Sequence, residues 1–257
     1  MCYTKVKHLG ILTLSFIWLI SGGFTTAGLT AEQILKKAEQ KLAASTVVAT
    51  MDVTIKRPKW TKTMSLKTWS KGTDYAMAYI LGPEKDKGTV YLKSQNDVYN
   101  YLPNIKKTVK LPATLLAQNW MGSDLSTDDL VKMSNYLQDY NATVSGTETV
   151  SGRSCYKITL TPKSTADVIW GKLVLSIDKT DFIQLKTVFY DEDLEVVNTL
   201  IGSNIKSFSG KTLASKYIMT PSGKSGQTTT LVYKNVVFST PIASSFFTKS
   251  NMPQVKP

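Results

Sequence analysis

The spacing of apolar residues changes period along the chain. Ile34, Leu35, Ala38 and Leu42 fall on one face of a 3.6-residue repeat. Just before them, Thr30 and Gln33 have the spacing of a capping box, in which the hydroxyl accepts from the Gln33 amide and the Gln33 side chain reaches back. Glu32 stands four residues ahead of Lys36, a favourable helical pair. Together these predict an amphipathic helix over 31–44. From Val47 the period becomes two: Val47, Ala49, Met51, Val53 and Ile55 alternate with mostly polar neighbours, as in a strand with one apolar face. Similar alternation recurs at 64–66, 90–92, 156–160, 173–177, 183–185 and 231–233. Turn-forming residues separate these runs at 71–74, 82–83, 94–97, 103–104, 151–152, 178–181 and 221–223. The spacing predicts a long antiparallel meander of nine to eleven strands. One interruption follows Ser126, where Thr127, Asp128 and Asp129 form a second helix start with acids in its first turn. Leu130, Met133 and Leu137 carry an apolar stripe from there toward Tyr140.

The N-terminus reads as an address. Residues 1–8 hold Lys5, Lys7 and His8 and no acid, and 9–20 is an uncharged, mostly apolar run. Small residues then precede a cleavage point after Ala27. This is the order of a secretory signal peptide, and its apolar run is short of the roughly 20 residues that span a bilayer. The expectation is a signal peptide over 1–27 and one domain over 28–257, exported, soluble and periplasmic. An uncleaved N-terminal anchor is the alternative. No cysteine follows the apolar run at a lipoprotein cleavage site.

Composition narrows the chemistry. The chain has 257 residues, 42% of them hydrophobic, which excludes disordered and collagen-like classes. Its two cysteines, Cys2 and Cys155, exclude a disulfide scaffold, and its one histidine, His8, leaves with the signal peptide. Without histidine, Ser-His-Asp and Cys-His pairings and His-based zinc sites are out of reach. Gly223-Lys224-Ser225 resembles the end of a phosphate loop, but Ile218 stands where its first glycine belongs. Ser203 and Lys206 fit a serine-lysine spacing that chance supplies often, and 191–193 reads as a solvated acidic hairpin tip. A pair of carboxylates meeting only in space stays open. Cys155 reads as a small, semi-buried residue on a packed sheet. No metal, cofactor or catalytic residue is expected. Lys+Arg exceed Asp+Glu by 31 to 19, a formal +12, spread along the chain and densest at Lys106, Lys107 and Lys110. Export argues against nucleic acid, which leaves a solvated surface or contact with anionic headgroups or an acidic partner.

So much sheet with so little helix must close on itself, stack into a sandwich, or curl around something. A curled sheet capped by short helices would leave an apolar hollow suited to apolar ligands. The pattern alone does not separate that hollow from a filled sandwich.

Three segments bear on this choice. They are Lys87-Gly88-Thr89-Val90-Tyr91-Leu92, then Tyr99-Asn100-Tyr101-Leu102-Pro103 with the lysines after it, then the run from Trp120 through Gly122, Ser123, Asp124, Ser126 and Asp129 to Leu130. With Gly152-Arg153-Ser154-Cys155-Tyr156 and Pro162-Lys163, they resemble the outer-membrane lipoprotein-sorting protein family, relatives of the periplasmic lipoprotein-localisation carriers. The resemblance implies a mainly β (α+β) fold, a curved antiparallel half-barrel with two or three short helices over its concave face, and a cavity for acyl chains. It implies a carrier of lipoproteins or other lipids that works between an inner-membrane exporter and an outer-membrane acceptor, as a monomer without catalysis. An envelope-stress or lipid sensor of the same fold, bound to a regulatory protein, is the rival reading. On the carrier reading the cavity is lined by Met51, Val53, Ile55, Met64, Leu66, Leu92, Ile158, Leu160, Leu173, Leu175 and Leu185, with Trp120 and Met121. The segment holding Gly122, Ser123, Asp124, Ser126 and Asp129 then forms a lid, and its alternative is a corner whose Trp120 plugs the core. Lys106, Lys107 and Lys110 are the candidate membrane or partner contact.

Overall fold

Among the described residues, thirteen strands join edge to edge, all antiparallel, in one open sheet. The computed structural model describes residues 1, 28–42, 44–127, 136–166 and 168–257. The predicted signal peptide, with Asp128, Asp129, Leu130 and Met133, lies outside the described residues. The strands are β1 (Thr46–Arg57), β2 (Trp60–Lys71), β3 (Tyr75–Gly82), β4 (Val90–Ser94), β5 (Asp97–Leu102), β6 (Lys107–Lys110), β7 (Tyr140–Val150), β8 (Arg153–Pro162), β9 (Lys172–Asp178), β10 (Gln184–Tyr190), β11 (Val196–Phe208), β12 (Lys211–Pro221) and β13 (Thr228–Phe238). Their order across the sheet is β6-β5-β4-β3-β2-β1-β13-β12-β11-β10-β9-β8-β7. Two hairpin meanders, β1–β6 and β7–β13, are therefore zipped together along β1 and β13, and β6 and β7 form the two free edges.

Thirteen exceeds the nine to eleven strands expected, because several strands lack the alternation that marks a half-buried strand. β7 is exposed at most of its positions on both faces, and β6 is exposed throughout. β3 runs Tyr-Ala-Met-Ala-Tyr-Ile-Leu with apolar residues on both faces.

The predicted first helix is present as α1 (Ala31–Leu42), opened by the predicted box: the Gln33 amide donates to Thr30 Oγ1 and the Thr30 amide to Gln33 Oε1. Ala43, inside the predicted span, lies outside the described residues, and Ala44 is not helical. Among the described residues, the connection between the meanders holds the helical segments α2 (Ala113–Leu116) and α3 (Tyr136–Asp139). No helix among the described residues is long and apolar enough to cross a membrane.

The pairing register settles which residues share a face. Val53 lies opposite Met64 and Leu231, and Met51 opposite Leu66 and Tyr233. On the other meander Ile158 pairs with Leu175, and Leu160 with Leu173. This face carries two apolar clusters. One joins Met51, Val53, Ile55, Met64 and Leu66 to Trp120, and the other joins Ile158, Leu160, Leu173 and Leu175 to Ile34 and Leu35 of α1. The opposite face is covered over β1–β5 by the C-terminal segment, whose Phe247, Met252 and Val255 bury against Trp69, Met77, Val90 and Leu92. Leu92 therefore does not join the expected lining. It pairs with Met77 and Tyr99 on the face turned away from α1. Leu185 also packs elsewhere, in a small cluster with Val150, Cys155, Ile183 and Ala214.

Candidate functional site

Topology forces one segment across the apolar face. The chain leaves β6 at one edge of the sheet and re-enters at β7 on the other, so residues 111–139 must traverse twelve strand spacings, about 57 Å for a flat sheet. Leu111, Leu116, Trp120 and Met121 pack on the β1–β6 half of the α1-bearing face, and Leu125, Tyr136 and Leu137 on the β7–β13 half. This strap holds the sequence expected to form a lid.

Its centre is a tight turn. The Trp120 amide donates to the Leu125 carbonyl at 2.7 Å, the Ser123 amide to the Trp120 carbonyl, and Asn119 bridges Ser126. Ser123 Oγ accepts from the Leu125 amide. Met121 and Gly122 both take positive φ, 52° and 82°. That geometry costs a side-chain-bearing residue strain and suits glycine at the second position. Trp120 is 2% exposed and meets Tyr91 of β4 edge to face, their centroids 6.3 Å apart. Its Nε1 is buried without a hydrogen-bond partner among the described residues.

A polar latch ties this turn to the sheet. Arg57, the last residue of β1, donates from Nη1 and Nη2 to the two oxygens of Asp124 at 3.1 and 3.0 Å, and from Nη2 to the Gly122 carbonyl at 2.7 Å. Thr229 of β13 donates to Asp124 Oδ2 at 2.6 Å and accepts from the Asp124 amide at 2.9 Å. Both charged side chains are largely buried, at 11% and 5% exposure. Removing one partner of such a pair strands the other without solvent, which costs about 3–5 kcal/mol. Asp124 was legible as part of the strap motif, whereas Arg57 and Thr229 were not. Nothing in an alternating strand that ends at Pro58 announces that its terminal arginine folds back onto a loop.

The expected lining residues Met51, Val53, Ile55, Met64, Leu66, Ile158, Leu160, Leu173 and Leu175 do come together on one face, and each is at most 6% exposed. The strap and α1 cover them. Between the two clusters, over β12 and β13, cover is thinner: Tyr217, Leu231 and Tyr233 are only partly buried. The two tyrosine rings meet edge to face at 6.3 Å. Desolvation nonetheless pushes both phenols above their ordinary range. These partly buried side chains are the least covered part of the face between the two clusters. Sequence reading missed this pair because strand tyrosines are common.

The three candidate contact lysines divide. Lys106, in a left-handed turn, and Lys107 are exposed where β5 passes into β6. Lys110, at the other end of β6, pairs with Asp97 at 2.6 Å. Cys155 is fully buried and its thiol is pushed up, mainly by that burial. The described residues contain no group of three or more potential metal ligands.

Solved structures of several proteins share this fold. A DUF1329 family protein from Desulfovibrio piger superposes with a TM-score of 0.78 at 22% identity, over 85% of this chain and 96% of that one. A putative outer membrane lipoprotein-sorting protein domain from Vibrio parahaemolyticus gives 0.76 at 22%, over 86% and 97%. A LolA superfamily protein from Nitrosomonas europaea gives 0.74 at 21%, over 87% and 99%. The chain belongs to the sequence family whose model, described as an uncharacterized protein, matches residues 72–254. No curated protein matches it in sequence.

Proposed function

We propose that this protein is a periplasmic carrier that takes acyl chains of lipoproteins or other lipids onto its strapped apolar face and shuttles them toward the outer membrane. Residues 1–27 serve as the export signal, 28–257 act as one monomeric domain, and an inner-membrane exporter and an outer-membrane acceptor bracket the journey. The observation that carries this reading is an apolar face in two neighbouring clusters, crossed by a strap that the buried Arg57–Asp124 pair ties to the sheet. A filled core has no use for a buried charge at its lid. The sheet curves into a half-barrel around the strap. In support, the turn between Trp120 and Leu125 touches Tyr91 of β4, and the Asn198 amide of β11 reaches its Asp124 carbonyl. A flat sheet would hold β4 and β11 about 28 Å apart.

Uptake is a substitution of one apolar cover for another. Each methylene moved from water contributes about 0.8 kcal/mol, so a long acyl chain offsets the displacement of Trp120 and Met121 and the loss of the latch. The thinly covered patch at Tyr217, Leu231 and Tyr233 is where a chain first gains a foothold. No chemical step is involved, and direction comes from the affinities of donor and acceptor.

The test is native mass spectrometry and organic extraction of protein purified from its own periplasm. An acylated species bound about one per chain is expected. A lipid-free chain that also refuses a pyrene-labelled fatty acid after delipidation would overturn the carrier reading, and a stoichiometric protein partner in place of lipid would favour the sensor. Asp124→Asn keeps the shape of the latch but removes its charge, so the variant should take up the pyrene probe faster in stopped-flow fluorescence. Unchanged kinetics would remove the strap as the gate.

A further inference from the structure

Successive hairpins of the first meander turn at the same end of the sheet, so β1–β2, β3–β4 and β5–β6 present three neighbouring tips there. They touch. Lys62 of β2 pairs with Asp86 of the second tip at 2.8 Å, and a Cβ at Gly88 would lie 3.5 Å from Pro103 of the third. Two large apolar side chains stand out from this end, Trp60 at 46% exposure and Ile105 at 57%. Around them Lys59, Lys85, Lys106 and Lys107 are exposed, and none forms an ion pair among the described residues. The acids of the second tip are already engaged, Glu84 by Lys87 and Asp86 by Lys62.

We infer that this end of the sheet is a docking face for an anionic lipid surface. Indole rings settle at the boundary between headgroups and hydrocarbon, and an exposed isoleucine gains by dipping into it. Free lysines flanking such residues add attraction to anionic headgroups, about fivefold in affinity for each one close to the surface. A protein partner of acidic character would use the lysines but would leave the protruding Ile105 without a purpose. The position adds a second consequence. The Trp60 ring lies 6.0 Å from the Arg57 guanidinium and packs beside Gly122, so the residue that meets the membrane also touches the latch. Docking and unlatching are thereby neighbours, and a chain is released where the hydrocarbon is.

The experiment is co-sedimentation of the delipidated protein with vesicles of phosphatidylethanolamine and phosphatidylglycerol (3:1), against pure phosphatidylcholine, at low salt. Binding is expected to the anionic vesicles and to weaken as salt screens the charges. Lys59, Lys85, Lys106 and Lys107 changed together to Gln should lower affinity more than tenfold. Ile105→Asp should lower it at least fivefold, with an unchanged melting temperature as folding control. A matched control, Lys179, Lys206, Lys216 and Lys256 changed to Gln, removes the same net charge elsewhere and should bind almost as the unaltered chain does. Equal loss in both quadruple variants, full binding by the Ile105→Asp protein, or no preference for anionic vesicles would overturn the docking face. Uptake of a soluble acyl probe reads the carrier proposal separately, since none of the substituted side chains belongs to the two apolar clusters of the strapped face.

Discussion

Trp120 does two things that pull in opposite directions. Its ring fills the face over β1–β4, yet among the described residues its buried indole N–H has no well-aligned acceptor, which costs up to about 1–3 kcal/mol. Trp120→Ala should therefore destabilise by about 3–5 kcal/mol in urea titrations, as large aromatic truncations do. Trp120→Phe keeps most of the ring and removes the unsatisfied donor, so it should cost far less. Equal losses from the two variants would show that the orphan N–H carries no penalty. Elsewhere the residue scale governs acid stability. Burial alone would push Asp178 up, but the Arg153 guanidinium and the Asp181 amide hold its carboxyl below the usual range. Glu148 is likewise opposed by burial and held low by the Ser176 hydroxyl and Lys186. A carboxyl whose pKa is lower folded than unfolded stabilises above its unfolded value, about 4, and that contribution fades as pH falls through the folded value. Thermal melts between pH 6 and pH 2.5 should show this loss, and Asp178→Asn should flatten it while lowering stability at pH 6. What the sequence made legible at this scale was the motif with an apolar anchor and a turn-permitting glycine, Trp120 and Gly122. The partners of Asp124 were hidden because Arg57 and Thr229 are distant in sequence and sit on ordinary strands.

Among the elements, the C-terminal segment has an effect that outruns its length. With 3₁₀ turns at Ser244–Phe246 and Lys249–Gln254, it lays Phe247 and Met252, each 1% exposed, over Trp69, Met77 and Leu92. That cover is why β3 reads as an unbroken apolar run and why Leu92, on a strand apolar on both faces, packs away from α1. Alternation shows that a strand has two different faces, but not which one looks inward. Phe247→Ala should cost about 3–5 kcal/mol without altering uptake of an acyl probe, whereas an equivalent loss at Met64 should disturb both. Measuring stability and uptake side by side distinguishes the two faces. β7 and β11 were illegible for other reasons. β7 is an edge with solvent on both sides, and β11 shifts its alternation at Asn204, where φ is 54°. The hairpin turns were legible throughout, since glycine, proline and asparagine mark them by backbone chemistry and need no partner. β6 carries Lys107 and Lys110 on a free edge, charges that discourage pairing with another chain.

At the scale of the whole molecule, the arrangement follows from one pairing, the seam between β1 and β13. It places the first strand at the middle of the sheet and sends the ends of the two meanders to opposite edges. The connection from β6 to β7 then has nowhere to go but across a face. The repeating period of two foretold a great deal of sheet, and the resemblance that includes the Trp120 segment pointed to the fold that the solved neighbours share. Neither could reveal the seam, which joins residues nearly two hundred positions apart and leaves no local trace.

That crossing segment is bonded at both ends to the rims of the structure it spans, like a string drawn between the tips of a bow. Such a string does not simply swing aside. On the carrier reading, slackening it at Asp124 would let the sheet relax, and a guest lodged beneath it would hold the sheet at a new width. Spin labels at Thr108 on β6 and Thr147 on β7 should therefore report a longer separation in the Asp124→Asn protein, and a narrower distribution once an acyl chain is aboard.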